Sequence, residues 1–189
     1  MRLEDAKLLA DKVCRALEPF CERVVVAGSG RRGKADVGDI DIVALPKPFE
    51  RPGALGGIVH FTETHVWNMM CGALTNRPLQ LVKHEFGMEL MRLVFHSPSI
   101  SAEGLQVDIY RARPETWGVI LLVRTGSRGH NVKLCTLARS KGLKLSAAEG
   151  VVDKDGFGKV LASRTEEEIF AALGLAFVEP KDREVAGFA

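Results

Sequence analysis

Asp39, Asp41 and Asp108 are the acids best placed for metal-dependent chemistry. Asp39 and Asp41 are two apart in Asp39-Ile40-Asp41-Ile42-Val43, an alternating run that reads as a strand, so both carboxylates leave one face. Asp108 interrupts the apolar run Val107-Asp108-Ile109, where a lone carboxylate needs a partner because burial without one is costly. If the two strands are neighbours, the three acids share one site. Carboxylates that close repel, and one would stay protonated unless cations lay between them. Oxygen donors of this kind suit two magnesium ions, or manganese in their place, at the roughly 3.5–4 Å separation used in phosphoryl transfer.

Just upstream lies Gly28-Ser29-Gly30-Arg31-Arg32-Gly33. Glycines let backbone amides approach a phosphate, Ser29 has a hydroxyl to donate, and Arg32 or Arg31 offers charge-assisted hydrogen bonds. An Asp-x-Asp pair or a Gly-Ser turn is by itself more often structural than catalytic. The glycine-arginine turn, the Asp-Ile-Asp strand five residues on and the later strand aspartate gain their specificity together.

The elements that must position these residues are legible in part. Leu3, Ala6, Ala10, Val13 and Leu17 recur at helical spacing and Pro19 ends the run, which predicts an amphipathic first helix. Residues 23–27 read as a buried strand, and Pro46, Pro48 and Pro52 mark a loop. Between 53 and 87, residues 58–62 look strand-like and 65–74 helical, without firm boundaries. Residues 89–96 and 105–112 flank Ser97-Pro98-Ser99 and predict an antiparallel hairpin that contains Asp108. Pro114 sets a lobe boundary, with helices over 115–123 and 131–140 around Thr125-Gly126-Ser127. Residues 151–162 predict a hairpin turned at Asp155-Gly156. That run is also a fragment of a calcium loop, but it lacks the third acid and the closing Glu. Thr165 with Glu168 forms a capping box for a last helix over 166–173, ended by Gly174.

Composition narrows the class. The chain has 189 residues, 46% hydrophobic and 26% charged, which excludes wholesale disorder, a collagen repeat or a coiled coil. Glu4, Asp5 and Asp11 break any signal-peptide pattern, and no apolar run reaches the roughly 18 residues of a membrane span, so a soluble protein of the cytoplasm or nucleoid is expected. Lys+Arg 26 against Asp+Glu 24 gives a net charge of only +2. From Arg111 to Lys144, however, Arg113, Arg124, Arg128, Lys133, Arg139 and Lys141 face the single acid Glu115, which fits a polyanion partner or a solvated helix face. Cys14, Cys21, Cys71 and Cys135 lack metal or disulfide spacing and read as packed, reduced thiols. His60 and His65 read as ordinary histidines and Trp67 and Trp117 as packing residues. His130 is either a nucleotide or DNA contact or a solvated helix start.

Gly28-Ser29-Gly30-Arg31-Arg32-Gly33-Lys34 followed by Val37-Gly38-Asp39-Ile40-Asp41 resembles the nucleotidyltransferase signature of family X DNA polymerases, the polymerase β relatives. Leu105-Gln106-Val107-Asp108, Thr125-Gly126-Ser127 with Asn131, and residues 164–168 through 179–183 extend the likeness to nearly the whole chain outside roughly 46–89. The resemblance implies an α/β (α+β) protein. Its nucleotidyltransferase palm, over 1–113, would have a mixed or antiparallel sheet, and a small helical and β-hairpin thumb would follow over 114–189, as in the compact viral form.

Carried over by position, Asp39, Asp41 and Asp108 hold two magnesium ions, with Asp108 nearest a primer 3'-hydroxyl. Gly28, Ser29, Arg32 and Gly38 hold the triphosphate. Val123, Arg124, Gly126, Ser127 and Asn131 line the nucleotide, and Arg128, Lys133 and Arg139 meet DNA. The implied partners are DNA and a nucleoside triphosphate, with a monomer acting in short-gap repair. A template-independent terminal transferase and a non-catalytic DNA-end binder are the alternatives. Two positions depart from the family: Val123-Arg124 stands where Tyr-Phe is usual, and Cys135 where an arginine usually reaches the template.

Overall fold

The computed structural model describes residues 2–54, 56–75, 81–97, 101–154 and 158–184, and for 96, 97 and 101–103 the backbone alone. In chain order come α1 (Leu3–Leu17), β1 (Cys21–Val26), the one-turn α2 (Gly28–Arg31), β2 (Ile40–Pro46), β3 (Phe49–Pro52), β4 (Ile58–Phe61), α3 (Glu63–Thr75), β5 (Leu81–Phe86), β6 (Leu90–Ser97) and β7 (Ser101–Arg111). Then follow α4 (Trp117–Thr125), α5 (Arg128–Ser140), β8 (Leu143–Ser146), β9 (Gly150–Asp153), β10 (Val160–Ala162) and α6 (Glu166–Ala172).

The first half is built on a five-stranded sheet of order β1-β2-β7-β6-β5. Only β2 and β7 run parallel; the other pairs are antiparallel, so the sheet is mixed. Alternation along the strands sorts its faces. Ile40, Ile42, Val107, Ile109, Met91 and Leu93 bury against α1 and α3, where Val13, Leu17, Trp67 and Met70 meet them. On the other face Val43, Leu45 and Ala112 pack on Trp117 and Leu121 of α4. The α4, α5 and α6 helices close a second core around Leu122, Leu134, Ile169 and Phe170, against the small sheet β10-β9-β8. The α+β class and the mixed sheet agree with the expectation from sequence.

Several local expectations need correction. The proline-marked stretch is not all loop: β3 pairs with β4, and Phe49 stacks on Phe61 at 4.6 Å between ring centroids. β5 has no counterpart in the sequence reading, because Lys83, His84 and Glu85 give it no buried periodicity and its side chains are mostly exposed. The thiols are free, but Cys135 is exposed instead of packed. The turns expected at Pro98-Ser99 and Asp155-Gly156 lie outside the described residues, although β6 with β7 and β9 with β10 do pair antiparallel. The capping box holds on one side, the Glu168 amide donating to Thr165 Oγ1 at 3.1 Å. Trp67 and Trp117 are both buried. Among the described residues no helix is long and apolar enough to cross a membrane.

Candidate active site

The parallel pairing of β2 and β7 sets Asp41 directly opposite Asp108. Both leave the sheet face that α4 covers farther along, and Asp39 lies one residue before β2. Register therefore continues across the sheet, with Arg92 of β6 opposite Asp108 and Glu85 of β5 opposite Arg92. One row of side chains thus reads Asp41, Asp108, Arg92, Glu85.

The row is electrostatically uneven. Burial, then the charges of Asp39 and Asp108, push the Asp41 carboxyl up from 3.8 to about 6, against a hydrogen bond from Tyr110 and the charge of Arg124. Asp108 is more enclosed still, yet Arg92 grips it side-on, Nε donating to Oδ1 and Nη2 to Oδ2, both at 2.8 Å. Gln106 Nε2 and the Tyr110 hydroxyl each donate to Asp108 Oδ2 at 3.3 Å. The partner that a buried Asp108 required is therefore Arg92. Burial, followed by the charge of Asp41, raises the Tyr110 hydroxyl above its ordinary range.

The glycine-arginine segment is a single helical turn instead of an open loop. Gly28 has φ +61°, and a Cβ there would overlap the Asp41 carboxylate, so only glycine lets the turn lie against the acid. Ser29 Oγ is buried with no hydrogen-bond partner among the described residues. An orphaned donor in such a turn suits a phosphate oxygen. Nothing described lies within 4 Å of where a Gly38 side chain would stand, which leaves that backbone open. Arg31 does not face a ligand: its Nη1 and Nη2 donate to Glu166 at 2.9 and 2.8 Å, and Nη1 also donates to Thr125 Oγ1 at 2.8 Å. Arg32 is engaged too, donating to the Thr125 carbonyl at 2.6 Å and to Glu184 at 2.7 Å, with Lys34 3.3 Å from the same Glu184 oxygen.

The expected nucleotide-facing residues are held by one another. Asn131 Nδ2 donates to the Val123 carbonyl at 2.8 Å, and a Cβ at Gly126 would run into the Asn131 amide. Ser127 caps α5, its Oγ accepting from the His130 amide at 3.2 Å. The Arg124 guanidinium lies 3.9 Å over the Tyr110 ring. His130 is neither solvated nor exposed to a ligand; it is fully buried, edge-on to Phe170. His60 pairs with Glu50, and His65 bonds to Thr62. Arg128, Lys133 and Arg139 are exposed on α5. Arg128 and Arg139 border one shallow groove with Asn131 and Cys135, whereas Lys133 lines a different groove with Val132 and Leu175. Arg111 lies within the first half, Nη2 donating to Thr64 Oγ1 at 3.3 Å and standing 3.5 Å from Glu63, so it is no part of a solvated run.

Among the described residues no three His, Cys, Asp or Glu side chains are grouped as a ready metal site. The donors nonetheless suit a hard divalent cation. Asp41 and Asp108 stand in register with Asp39 beside them, all oxygen donors, and the rise of the Asp41 pKa, from burial first and the neighbouring carboxylates second, is a cost of ionisation that a bound cation would relieve. What closes the site is Arg92 on Asp108. Sequence inspection missed Arg92, Tyr110 and Glu166; the lone acid in an apolar strand was the only signal that a cation must lie nearby.

A mixed five-stranded sheet with an acid pair near its centre, Asp108 buried and Asp41 half-buried, followed by three helices and a small antiparallel sheet, defines a two-part α+β protein. Residues 120–184 match the family described as DNA polymerase beta thumb. Over 172 residues the chain is 29% identical to DNA polymerase lambda of Rattus norvegicus, a match that covers 85% of this chain and 28% of that protein. The chain is thus similar over most of its length to a DNA polymerase, and spans under a third of the length of this relative.

Proposed function

We propose that the chain is a DNA polymerase of the family X kind, transferring a nucleoside monophosphate from a nucleoside triphosphate to a DNA 3'-hydroxyl. The observation that carries this reading is the register of Asp41 on Asp108 in neighbouring parallel strands, with the Gly28 turn against Asp41 and the thumb match following. In this reading residues 1–113 form the palm and 114–189 the thumb. Asp39, Asp41 and Asp108 would hold two magnesium ions, which would stabilise the negative charge that develops in phosphoryl transfer. Ser29, the Gly38 amide and Arg32 receive the triphosphate, Arg32 exchanging Glu184 for phosphate oxygens. Asn131 turns from Val123 to the base edge, and Arg124 and Val123 line the sugar. Arg128 and Arg139, on one side of α5, and Lys133, round the helix, meet DNA phosphates. The chain acts as a soluble monomer wherever gapped DNA lies, in cytoplasm or nucleoid, with short-gap repair as its setting.

A terminal transferase is the second reading, favoured by the exposure of Cys135 where a template-reaching arginine is usual. Primer extension on gapped, blunt and single-stranded DNA, with magnesium and each nucleotide supplied alone, decides between them. Template-matched addition supports the polymerase and unmatched addition the transferase. No addition on any substrate overturns both in favour of a DNA-end binder.

A further inference from the structure

Asp108 Oδ2, which already receives three donors, cannot accept a metal ion where it stands without giving one up. The two Asp108 oxygens take both arms of the Arg92 fork at 2.8 Å, and Oδ2 also receives Gln106 and Tyr110. A magnesium-class ion needs a carboxylate lone pair at about 2.0–2.1 Å, in space the guanidinium hydrogens fill. One partner must therefore leave, and exposure decides which. The Asp108 side chain is 3% exposed and fixed in the middle of a sheet, whereas that of Arg92 is 39% exposed on a flexible stem. Arg92 also has somewhere to go: Glu85 lies directly opposite it on β5, exposed and already paired with Lys83 at 2.8 Å.

We infer that Arg92 is a positioning residue that holds Asp108 in the place of a cation and sets, by having to be displaced, how tightly this carboxylate takes a divalent metal. The inference rests on the reading of Asp108 as a metal ligand. Displacement acts as a closed fraction of the site: the apparent affinity for metal falls by the share of time Arg92 spends on Asp108. The row Asp41, Asp108, Arg92, Glu85 is then an exchange relay, in which an incoming cation moves the arginine one strand outward.

Manganese alone, titrated into the full chain without nucleotide or DNA and followed by the loss of the free-ion electron paramagnetic resonance signal, tests this apart from turnover. Arg92→Gln is expected to bind manganese about tenfold tighter than the parent. Arg92→Lys keeps one charge but cannot cover both oxygens, and should bind roughly two- to threefold tighter. Unchanged or weaker binding in both overturns the inference, and if Arg92→Gln does not fold, Arg92→Lys alone decides. Asp108→Asn separates the two readings. If it leaves manganese binding untouched, Asp108 is not a ligand. If it weakens binding while neither Arg92 variant strengthens it, only the role of Arg92 falls.

Discussion

Asp108 and Glu166 are both buried acids held by arginine, yet the two regions they serve differ in what the arginines can do. Asp108 has one fork, from Arg92, which reaches out to solvent. Glu166, at the start of α6, lies between two: Arg31 of the glycine turn, 22% exposed, and Arg183, whose side chain is 0% exposed, donates to Glu166 through Nη1 and to the Val178 carbonyl at 2.8 Å through Nε. Burial pushes the Glu166 carboxyl up, but the hydrogen bonds and charges of Arg31 and Arg183 outweigh it and hold the group below its ordinary range. The same chemistry thus gives a latch between α2 and α6 in one place and an exchangeable contact in the other. Solvent access of the cation makes the difference.

Removing each acid in turn should break this comparison most clearly. Asp108→Ala is expected to lower nucleotide transfer by at least about four powers of ten, roughly 5.5 kcal/mol of barrier, because a proposed metal ligand is lost. The fold should survive, since Arg92 is left facing water, and DNA binding should persist or tighten as repulsion lessens. Transfer near the parent's rate in a primer-extension assay would contradict the assignment. Glu166→Gln should do the reverse. It strands Arg183 with its charge buried, a loss of about 3–5 kcal/mol that urea unfolding would read as an early midpoint. An unchanged midpoint would mean that the latch carries no stability.

The two regions should also answer pH with opposite signs. Asp41 has its folded pKa raised from 3.8 to about 6, so its ionisation costs stability above about pH 6, and the cost vanishes below the unfolded value. Glu166, with its folded pKa lowered, contributes stability above its unfolded value of 4.5 and loses it as pH falls through the folded one. Asp41→Asn should therefore raise stability at pH 8 by on the order of 1–3 kcal/mol and by almost nothing at pH 4. Melting temperatures at the two pH values check this; equal gains at both would show that the substitution acts through packing.

How much of this could be read beforehand follows from the range of each interaction. The helix over 3–17 and the hairpin carrying Asp108 rest on local periodicity, and the structure has them; Asp41 lies on the expected strand, β2, whereas Asp39 falls one residue before it. Arg92 opposite Asp108 depends on register. Ser97 pairs with Ser101, and without the shift between Phe95 and Ser97 that turn would set Leu90 opposite Asp108. A shift of register, invisible in residue spacing, moves Arg92 into place. The latch was misread for a related reason. Arg31 and Arg32 are adjacent and chemically alike, and only the packing of α6 against α4, with Glu166 at its first turn, commits Arg31 to the protein.

The smallest effect should come from Arg31→Lys, which keeps the charge of the latch and removes its geometry. Arg31 reaches both oxygens of Glu166 and the hydroxyl of Thr125, three hydrogen bonds from one planar fork. An ammonium can approach one oxygen closely and must forgo at least one of the others. Because Arg183 still neutralises Glu166, no buried charge is stranded, and the cost is that of lost hydrogen bonds, about 1–1.5 kcal/mol. For a chain of this size that is a drop of roughly 2–6 °C in melting temperature. The latch joins the turn that bears Ser29 and Arg32 to α6, so loosening it should also weaken nucleotide binding, seen as a raised KM with kcat little changed. A drop as large as that of Glu166→Gln would mean that Arg31, and not Arg183, is the cation on which the latch depends.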